Sequence, residues 1–328
     1  MAAKGKTRAL SLLSGGLDSL LAVRALQEQG IEVIGITFTS PFFGSANAEQ
    51  GAVQLGIELI IQDITDDHLP VVKNPPHGYG KCLNPCIDCH ALMIRKAGEV
   101  MRRDGFDLIT TGEVLGERPM SQNMQALGTV ERDSGCKGFL LRPLSAKLLL
   151  PTWPEIEGQV DREQLFAIEG RSRKPQMVLA KRFGIKSYVQ PAGGCLLTDP
   201  AFCARLSELW GANPDASVED IRLLRLGRHF RLPSGAKAIV GRDMNDNERI
   251  AAKAVSGTAL LSAESVPGPV VLLVEGSGRE DIEIAARLCA SFSDHGEGEV
   301  GMDVQSGSGT ERIAVHPSPR SEFDVMRI

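Results

Sequence analysis

The order of apolar and polar positions divides the chain into two textures. Up to Pro200, short apolar runs alternate with segments of helical period. Residues 7–13 are mostly apolar and lack Gly and Pro, which predicts a buried strand. Leu17, Leu20, Leu21, Val23 and Leu26 then recur at near-helical spacing, with Gly30 as a stop. "IEVIGITF" (31–38) predicts a second strand, 47–56 a helix and "IELIIQDI" (57–64) a third strand. A cysteine-bearing loop, a helix from Cys89 to Arg103 and a fourth strand, "FDLITTGE" (106–113), follow. This alternation predicts an α/β fold: a parallel sheet with helices on both faces and ligands beyond the carboxyl ends of its strands. After "PTWPEIEG" (151–158), a basic helix over 174–184 and a short strand over 186–190 lead to "PAGGCLLTDP". Beyond Pro200 the pattern becomes short strands and two helices. These are "HFRLPSGAKAIVGR", a helix over 245–255, "PVVLLVEG", a helix over 279–292, then "EVGMDVQS", "ERIAVHP" and "EFDVMRI". The expected division is an α/β domain over 1–204 and a smaller α+β domain over 205–328.

The first strand meets the first helix in "LLSGGLDSLL" (12–21). Gly15 and Gly16 can take backbone angles closed to other residues, so several N–H groups can point at one anion. The helix start adds its dipole, and Ser14 and Ser19 add hydroxyls. Such a corner holds phosphate. It lacks the Gly-Lys-Ser/Thr of a Walker loop. Asp18 beside bound phosphates makes chemical sense with Mg²⁺ between them. Thr37 and Gly112 would lie at two other strand ends, facing the same ligand.

Charged residues make up 23% and hydrophobic ones 42%, the composition of an ordinary soluble protein. No apolar run is long enough to span a membrane, and the N-terminus lacks the apolar core of a signal peptide. A cytoplasmic protein without a membrane partner is expected. The net charge of −5 argues against a wholly basic nucleic-acid binder. Locally, Arg222, Arg225, Arg228, Arg231, Lys237 and Arg242 form a strip with no acid among them, whereas 275–328 is acidic. The strip suits a phosphate backbone as well as it suits plain solvation. Phe230 is its one aromatic, so stacking on many bases is not expected. "GRSRKPQ" (170–176), with Arg171, Arg173 and Lys174, is a second basic candidate.

Seven cysteines, three of them crowded as Cys82, Cys86 and Cys89, fit a metal or redox site in a reducing compartment. Zinc would need a fourth ligand, from His90 or Cys195. Cys136, Cys203 and Cys289 stand in apolar or loop settings and are expected to be packing residues. The Cys-x-x-x-Cys-x-x-Cys spacing also resembles the cluster motif of radical S-adenosylmethionine enzymes, which the strand–loop context opposes.

"SGGLDS" resembles the PP-loop of the ATP pyrophosphatase family, whose members cleave ATP between the α and β phosphates to adenylate a carbonyl oxygen. "NPCIDC" resembles a segment of tRNA 2-thiouridylases. "TGEVLGERPMSQN" (111–123), "LRPL" (141–144) and Lys147 resemble segments of tRNA 4-thiouridine synthetases. The resemblance covers roughly residues 7 to 200 and implies cysteines that carry a persulfide or hold a 4Fe-4S cluster. Cys86, Cys89 and Cys195 fit such a ligand set, with Cys82 extra, and Cys86 and Cys195 fit a persulfide pair. On this resemblance the N-terminal tRNA-binding domains of 4-thiouridine synthetases are not expected before the PP-loop, so RNA contact is expected from another part of the chain. Residues from about 220 onward, above all "GRHFRLPSGAKAIVGRDMNDNERI", resemble the RNA-binding domain of NFACT proteins.

The resemblance implies an ATP-dependent tRNA sulfurtransferase. Asp18, Cys86 and Cys195 would be catalytic. Ser14, Gly15, Gly16, Asp18, Ser19, Thr37 and Gly112 would bind ATP and Mg²⁺. Cys86, Cys89 and Cys195 would bind the cluster. The partners would be tRNA and a sulfur donor, either sulfide or a cysteine desulfurase, and a homodimer is compatible with the sequence. The alternatives are a non-catalytic, nucleotide-dependent RNA-binding factor and an adenylating enzyme for a small molecule.

Overall fold

The computed structural model describes residues 6–189, 195–255, 257–274, 278–307 and 309–328. The chain forms two compact units, Met1–Asp199 and Pro200–Ile328.

The first unit contains β1 (Arg8–Leu12), α1 (Leu17–Gln27), β2 (Glu32–Thr39), α2 (Ala46–Leu55), β3 (Leu59–Asp63), α3 (Thr65–Lys73) and α4 (Cys86–Asp104). It continues with β4 (Leu108–Thr110), α5 (Met124–Asp133), β5 (Leu140–Leu141), α6 (Trp153–Ile156) and α7 (Lys174–Arg182). The strands form one parallel sheet in the order β3-β2-β1-β4-β5. Strand order reverses at β1, whose neighbours are β2 on one side and β4 on the other, the kind of switch point at whose carboxyl end ligands bind in open α/β sheets. Two apolar layers cover the sheet. One joins Leu13, Leu17, Leu20 and Leu21 to Leu55 of α2 and Leu179 of α7. The other joins Leu10, Ile36 and Phe38 to Leu92 and Ile94 of α4 and Val130 of α5. α1 is apolar almost all round because it is buried almost all round.

The second unit contains α8 (Pro200–Ala212), α9 (Val218–Leu223), β6 (Arg228–Arg231), β7 (Lys237–Val240), α10 (Met244–Ala251), β8 (Ala259–Ala263) and β9 (Val271–Val274). α11 (Arg279–Phe292), β10 (Val300–Ser306), β11 (Gly309–Val315) and a 3₁₀ segment, Arg320–Met326, complete it. Its strands form an antiparallel sheet in the order β11-β10-β8-β9-β7-β6. Leu288 and Cys289 of α11 pack with Ala238, Leu261 and Leu273 in one apolar layer, and Ile250 of α10 packs with Ile239 and Leu272 in another.

Several boundaries differ from the sequence pattern. α4 begins at Cys86, not Cys89, so both cysteines stand in its first turn. α3 lies inside the segment read as a loop; Pro70 obscured it, while Asp66 and Asp67 in its first turn suit a helix start. α5 was missed because its buried stripe is only Ala126, Leu127 and Val130. The strand expected over 186–190 reduces to a single bridge from Val189 to Gly16, and residues 190–194 lie outside the described residues. α8 and α9 precede β6, the latter six residues long and capped by Ser217 and Asp220. "EFDVMRI" is largely 3₁₀ and buries Phe323 rather than pairing as a strand.

Candidate active site

The corner after β1 is built by close approaches that only glycine permits. Gly15 has φ +77, and a Cβ there would come within 2.2 Å of the Asn47 carbonyl oxygen at the start of α2. Gly16 is different from expectation: its φ of −75 is open to any residue, and it serves as the N-cap of α1. A Cβ on Gly112, in the loop after β4, would lie 2.4 Å from the Ser19 nitrogen, so that loop rests directly on the first turn of α1. The corner is closed from a third side by Val189, whose N–H donates to the Gly15 carbonyl at 3.2 Å.

The Ser19 hydroxyl is buried and donates to the Gly16 carbonyl at 2.8 Å, which fixes the helix start rather than leaving a free donor. Ser14 is exposed, and its hydroxyl accepts from the Gly16 N–H at 3.3 Å. Asp18 is the chemically loaded member. Burial raises its carboxyl above the ordinary value, with Arg173 and Arg118 opposing, and its Oδ1 is buried without a hydrogen bond. An orphaned carboxylate oxygen beside a glycine corner fits a divalent cation. Thr37 is buried in β2, next to Ile36, whose carbonyl accepts the Leu13 N–H at 2.9 Å.

The cysteines converge on the start of α4. Burial pushes the Cys89 thiol far up, and the charges of Cys195, Cys86 and Asp88 add to it, so the three candidate ligand thiols are electrostatic neighbours. Burial also raises Cys86, with Arg118 opposing. Arg118 therefore acts on both Asp18 and Cys86, the two halves of the expected chemistry. The N–H of Leu196 donates to the Phe42 carbonyl at 3.1 Å, which anchors the chain just after Cys195. Three thiols are soft donors suited to an iron–sulfur centre. Among the described residues, no group of three or more His, Cys, Asp and Glu is already arranged around a metal position. Cys82 has φ +59, a left-handed conformation uncommon outside glycine.

His90, a candidate zinc ligand by sequence, is engaged elsewhere: its Nδ1 lies 2.9 Å from Glu113 Oε1. Glu113 also accepts from Thr111 at 3.0 Å and from Arg142 Nε at 2.9 Å. Burial alone would raise the Glu113 carboxyl, but Arg142 and His90 hold it well below the usual carboxylate range. The "TGE" and "LRPL" segments thus meet in one buried ion cluster that braces α4. Lys147 bonds Glu163 at 3.1 Å.

Sequence reasoning missed buried polar side chains in and beside the site. His68 of α3 places Nε2 2.8 Å from Cys89 Sγ, between the rings of Phe42 and Phe43, and burial lowers its pKa to about 4. Gln122 is buried with Oε1 unbonded, and the "SQ" pair was the available signal. Cys136 and Cys289 are packing residues, with thiols directed at the carbonyls of Ile94 and Pro269. A surface cavity lined by Phe106, Asp107, Trp153 and Pro154 lies at the amino end of β4 and holds none of these residues.

In the second unit the basic strip is not a continuous free face. Lys237 is buried, Arg231 is paired with Glu208, Arg222 with Glu219 and Arg242 with Asp246. Phe230 is buried and unavailable for stacking. The fold instead brings the like charges of Arg327, Arg242 and Arg320 to bear on Arg228. The guanidinium carbons of Arg228 and Arg320 lie 5.1 and 4.6 Å from the centre of the Phe292 ring.

Residues 4–147 match the family model described as thiamine biosynthesis protein (ThiI), and residues 227–325 match the NFACT protein RNA-binding domain. A tRNA-specific 2-thiouridylase of Bacteroides fragilis is 34% identical over 116 residues, 33% of this chain and 31% of the relative. A tRNA sulfurtransferase of Anoxybacillus flavithermus is 28% identical over 146 residues, 42% of this chain and 35% of the relative. The chain thus spans about a third of the length of these curated relatives. A 4-thiouridine synthetase solved with RNA and ATP overlaps 55% of this chain and 52% of its own at 20% identity, with a TM-score of 0.37. No helix among the described residues is long and apolar enough to cross a membrane. The chain thus carries one segment that matches the ThiI family model and, after it, one that matches the NFACT RNA-binding domain model.

Proposed function

We propose that this protein is an ATP-dependent tRNA sulfurtransferase. The observation that supports the reading is one domain that holds both a glycine corner, where the Gly112 loop rests on the first turn of α1, and buried thiols at the start of α4, with the charge of Arg118 acting on Asp18 and on Cys86. ATP binds with its phosphates against Ser14, Gly15, Gly16 and Asp18, beside Gly112 and Thr37, while Ser19 holds the start of α1. Asp18 would hold Mg²⁺, which when bound would offset phosphate charge. A uridine carbonyl oxygen attacks the α-phosphorus, the bond to the β-phosphate oxygen breaks, and pyrophosphate leaves. Sulfur then adds at the activated ring carbon, and the former carbonyl oxygen departs with AMP. AMP is a far better leaving group than the oxygen alone, which is why activation precedes substitution.

The cysteines hold the sulfur source. Cys86, Cys89 and Cys195 would ligate a 4Fe-4S cluster, which when bound supplies an open iron for sulfide. In the persulfide variant, Cys86 and Cys195 carry and release sulfur, with a cysteine desulfurase as donor. Burial favours the neutral thiols, so metal ligation, which stabilises thiolates, suits this pocket better than free thiolates do. The NFACT-like domain supplies affinity for the tRNA backbone.

Incubating the protein with labelled ATP, Mg²⁺ and bulk tRNA tests the reading. AMP and pyrophosphate should form only when tRNA is present, with thiouridine in the recovered RNA. ATP turnover independent of RNA would instead favour a small-molecule substrate. RNA binding without any turnover would favour a non-catalytic factor.

A further inference from the structure

Beside Asp18 the fold leaves a row of polar atoms without well-formed hydrogen bonds. Gln176, in the first turn of α7, is fully buried, and neither its Oε1 nor its Nε2 makes a hydrogen bond of ordinary length and angle. Arg173, the N-cap of α7, likewise has an unbonded, buried Nε, and its nearest carboxylate oxygen, on Glu117, is 4.0 Å away. Arg173 and Arg118 are the charges that act on Asp18, and the Gln176 amide lies near enough to lower the same carboxyl without making a well-formed hydrogen bond to it. Both arginines also act on Glu117, whose Oε1 is 4.0 Å from Arg173 Nε. The arrangement is held firmly: Leu115 bridges Glu169, and the Gly170 N–H donates to the Leu115 carbonyl at 2.7 Å. α7 packs in the same apolar layer as α1.

A buried amide without a well-formed hydrogen bond is a cost to the free protein, and native folds keep few of them. Two guanidinium groups and an amide suit anionic oxygens, and the adjoining Asp18 suits a cation. A ligand that carries both is a magnesium-bound polyphosphate. We propose that Arg173 and Gln176, with Arg118, form the subsite for the pyrophosphate end of ATP, opposite the glycine corner. Arg173 and Gln176 lie outside the segment matched by the ThiI model, which ends at residue 147. The inference rests on the proposed ATP-dependent reading and adds a second wall to the same site. Guanidinium and amide donors there gather charge on the leaving pyrophosphate as its bond to the α-phosphorus breaks.

Calorimetric titration of the full chain with Mg²⁺-pyrophosphate, Mg²⁺-ATP and AMP tests this. Arg173→Ala and Gln176→Leu should each weaken pyrophosphate and ATP about tenfold, the loss expected for one hydrogen bond to a charged group. AMP affinity should hardly change. Gln176→Leu should also raise, or leave unchanged, the melting temperature of the free protein, because it removes unbonded polar atoms, while shrinking the shift produced by pyrophosphate. Unchanged pyrophosphate affinity in both variants would overturn the subsite, as would an equal loss for AMP. A Gln176→Leu protein that melts lower yet binds pyrophosphate normally would make Gln176 structural. Asp18→Asn separates the two readings: if it weakens ATP while the α7 variants do not, only this inference falls. If the wild-type chain binds neither ATP nor pyrophosphate, both fall.

Discussion

Arg142 Nε donates to Glu113 Oε2 at 2.9 Å in a fully enclosed pair, and the other oxygen of that carboxylate holds His90, the residue after Cys89. The pair ties the loops after β4 and β5 to the helix that carries Cys86 and Cys89. Removing one partner would leave the other charge buried alone, a loss of about 3–5 kcal/mol.

Arg142→Met should therefore lower the melting temperature sharply at pH 7. Burial by itself raises the Glu113 carboxyl, and Arg142 and His90 hold it down instead. A depressed carboxyl stabilises the fold above its unfolded value, about 4.3, and loses that contribution as pH falls through the lower folded value. The gap between wild type and variant should narrow below about pH 4, as read by thermal melts across pH. A gap constant down to pH 3 would mean that the pair contributes nothing through ionisation.

Gly112→Ala should disable the nucleotide corner by displacing backbone. Its Cβ would sit 2.4 Å from the backbone of Asp18 and Ser19, so the loop after β4 must lift off α1. ATP affinity should fall more than tenfold, whereas Gly30→Ala, where φ is +74 but no atom lies within 4 Å, should cost only about 1 kcal/mol of stability. Equilibrium ATP binding and melts of the two variants check the contrast.

Asp18→Asn should preserve the fold and reduce Mg²⁺-dependent pyrophosphate release by at least about a hundredfold, in line with removal of a group that stabilises transition-state charge. Its free form should melt no lower than wild type, because a carboxyl disfavoured by burial is replaced by a neutral amide. Unchanged pyrophosphate release would sink the assignment of this corner.

Protein purified without oxygen should be brown if the thiols hold a 4Fe-4S cluster, and Cys86→Ala, Cys89→Ala and Cys195→Ala should each bleach it. Cys82→Ala should matter less. A colourless, iron-free protein that thiolates tRNA with only a cysteine desulfurase as donor would instead assign sulfur transfer to Cys86 and Cys195.

The double variant Arg228→Gln, Arg320→Gln should weaken tRNA binding and reduce its salt slope by about two, one for each lost phosphate contact. Arg222→Gln should change little, because Glu219 already pairs with Arg222. Titrations at several salt concentrations would show this, and equal slopes in all three proteins would move the RNA surface elsewhere.

The sequence by itself determined the α/β alternation and the glycine–aspartate corner, because both are local. Apolar period is set by neighbours along the chain, and a turn that needs φ +77 at Gly15 announces itself in residue type. It also singled out Cys86, Cys89 and Cys195, although their proximity depends on a loop anchored through Leu196 and Phe42. Partners distant in sequence were not legible. The basic strip looked acid-free because Glu208, Glu219 and Asp246 stand outside or past it, and only folding brought them onto Arg231, Arg222 and Arg242. Arg320 and Arg327 sat in a stretch that counted as acidic, yet the last 3₁₀ turn returns them to Arg228. The same holds for Gln176 and His68: an amide or imidazole in a polar or mixed segment carries no sign of burial until packing removes water from it. Tertiary structure decides which charges are neutralised and which polar atoms remain unpaired, because both depend on contacts that no local window contains.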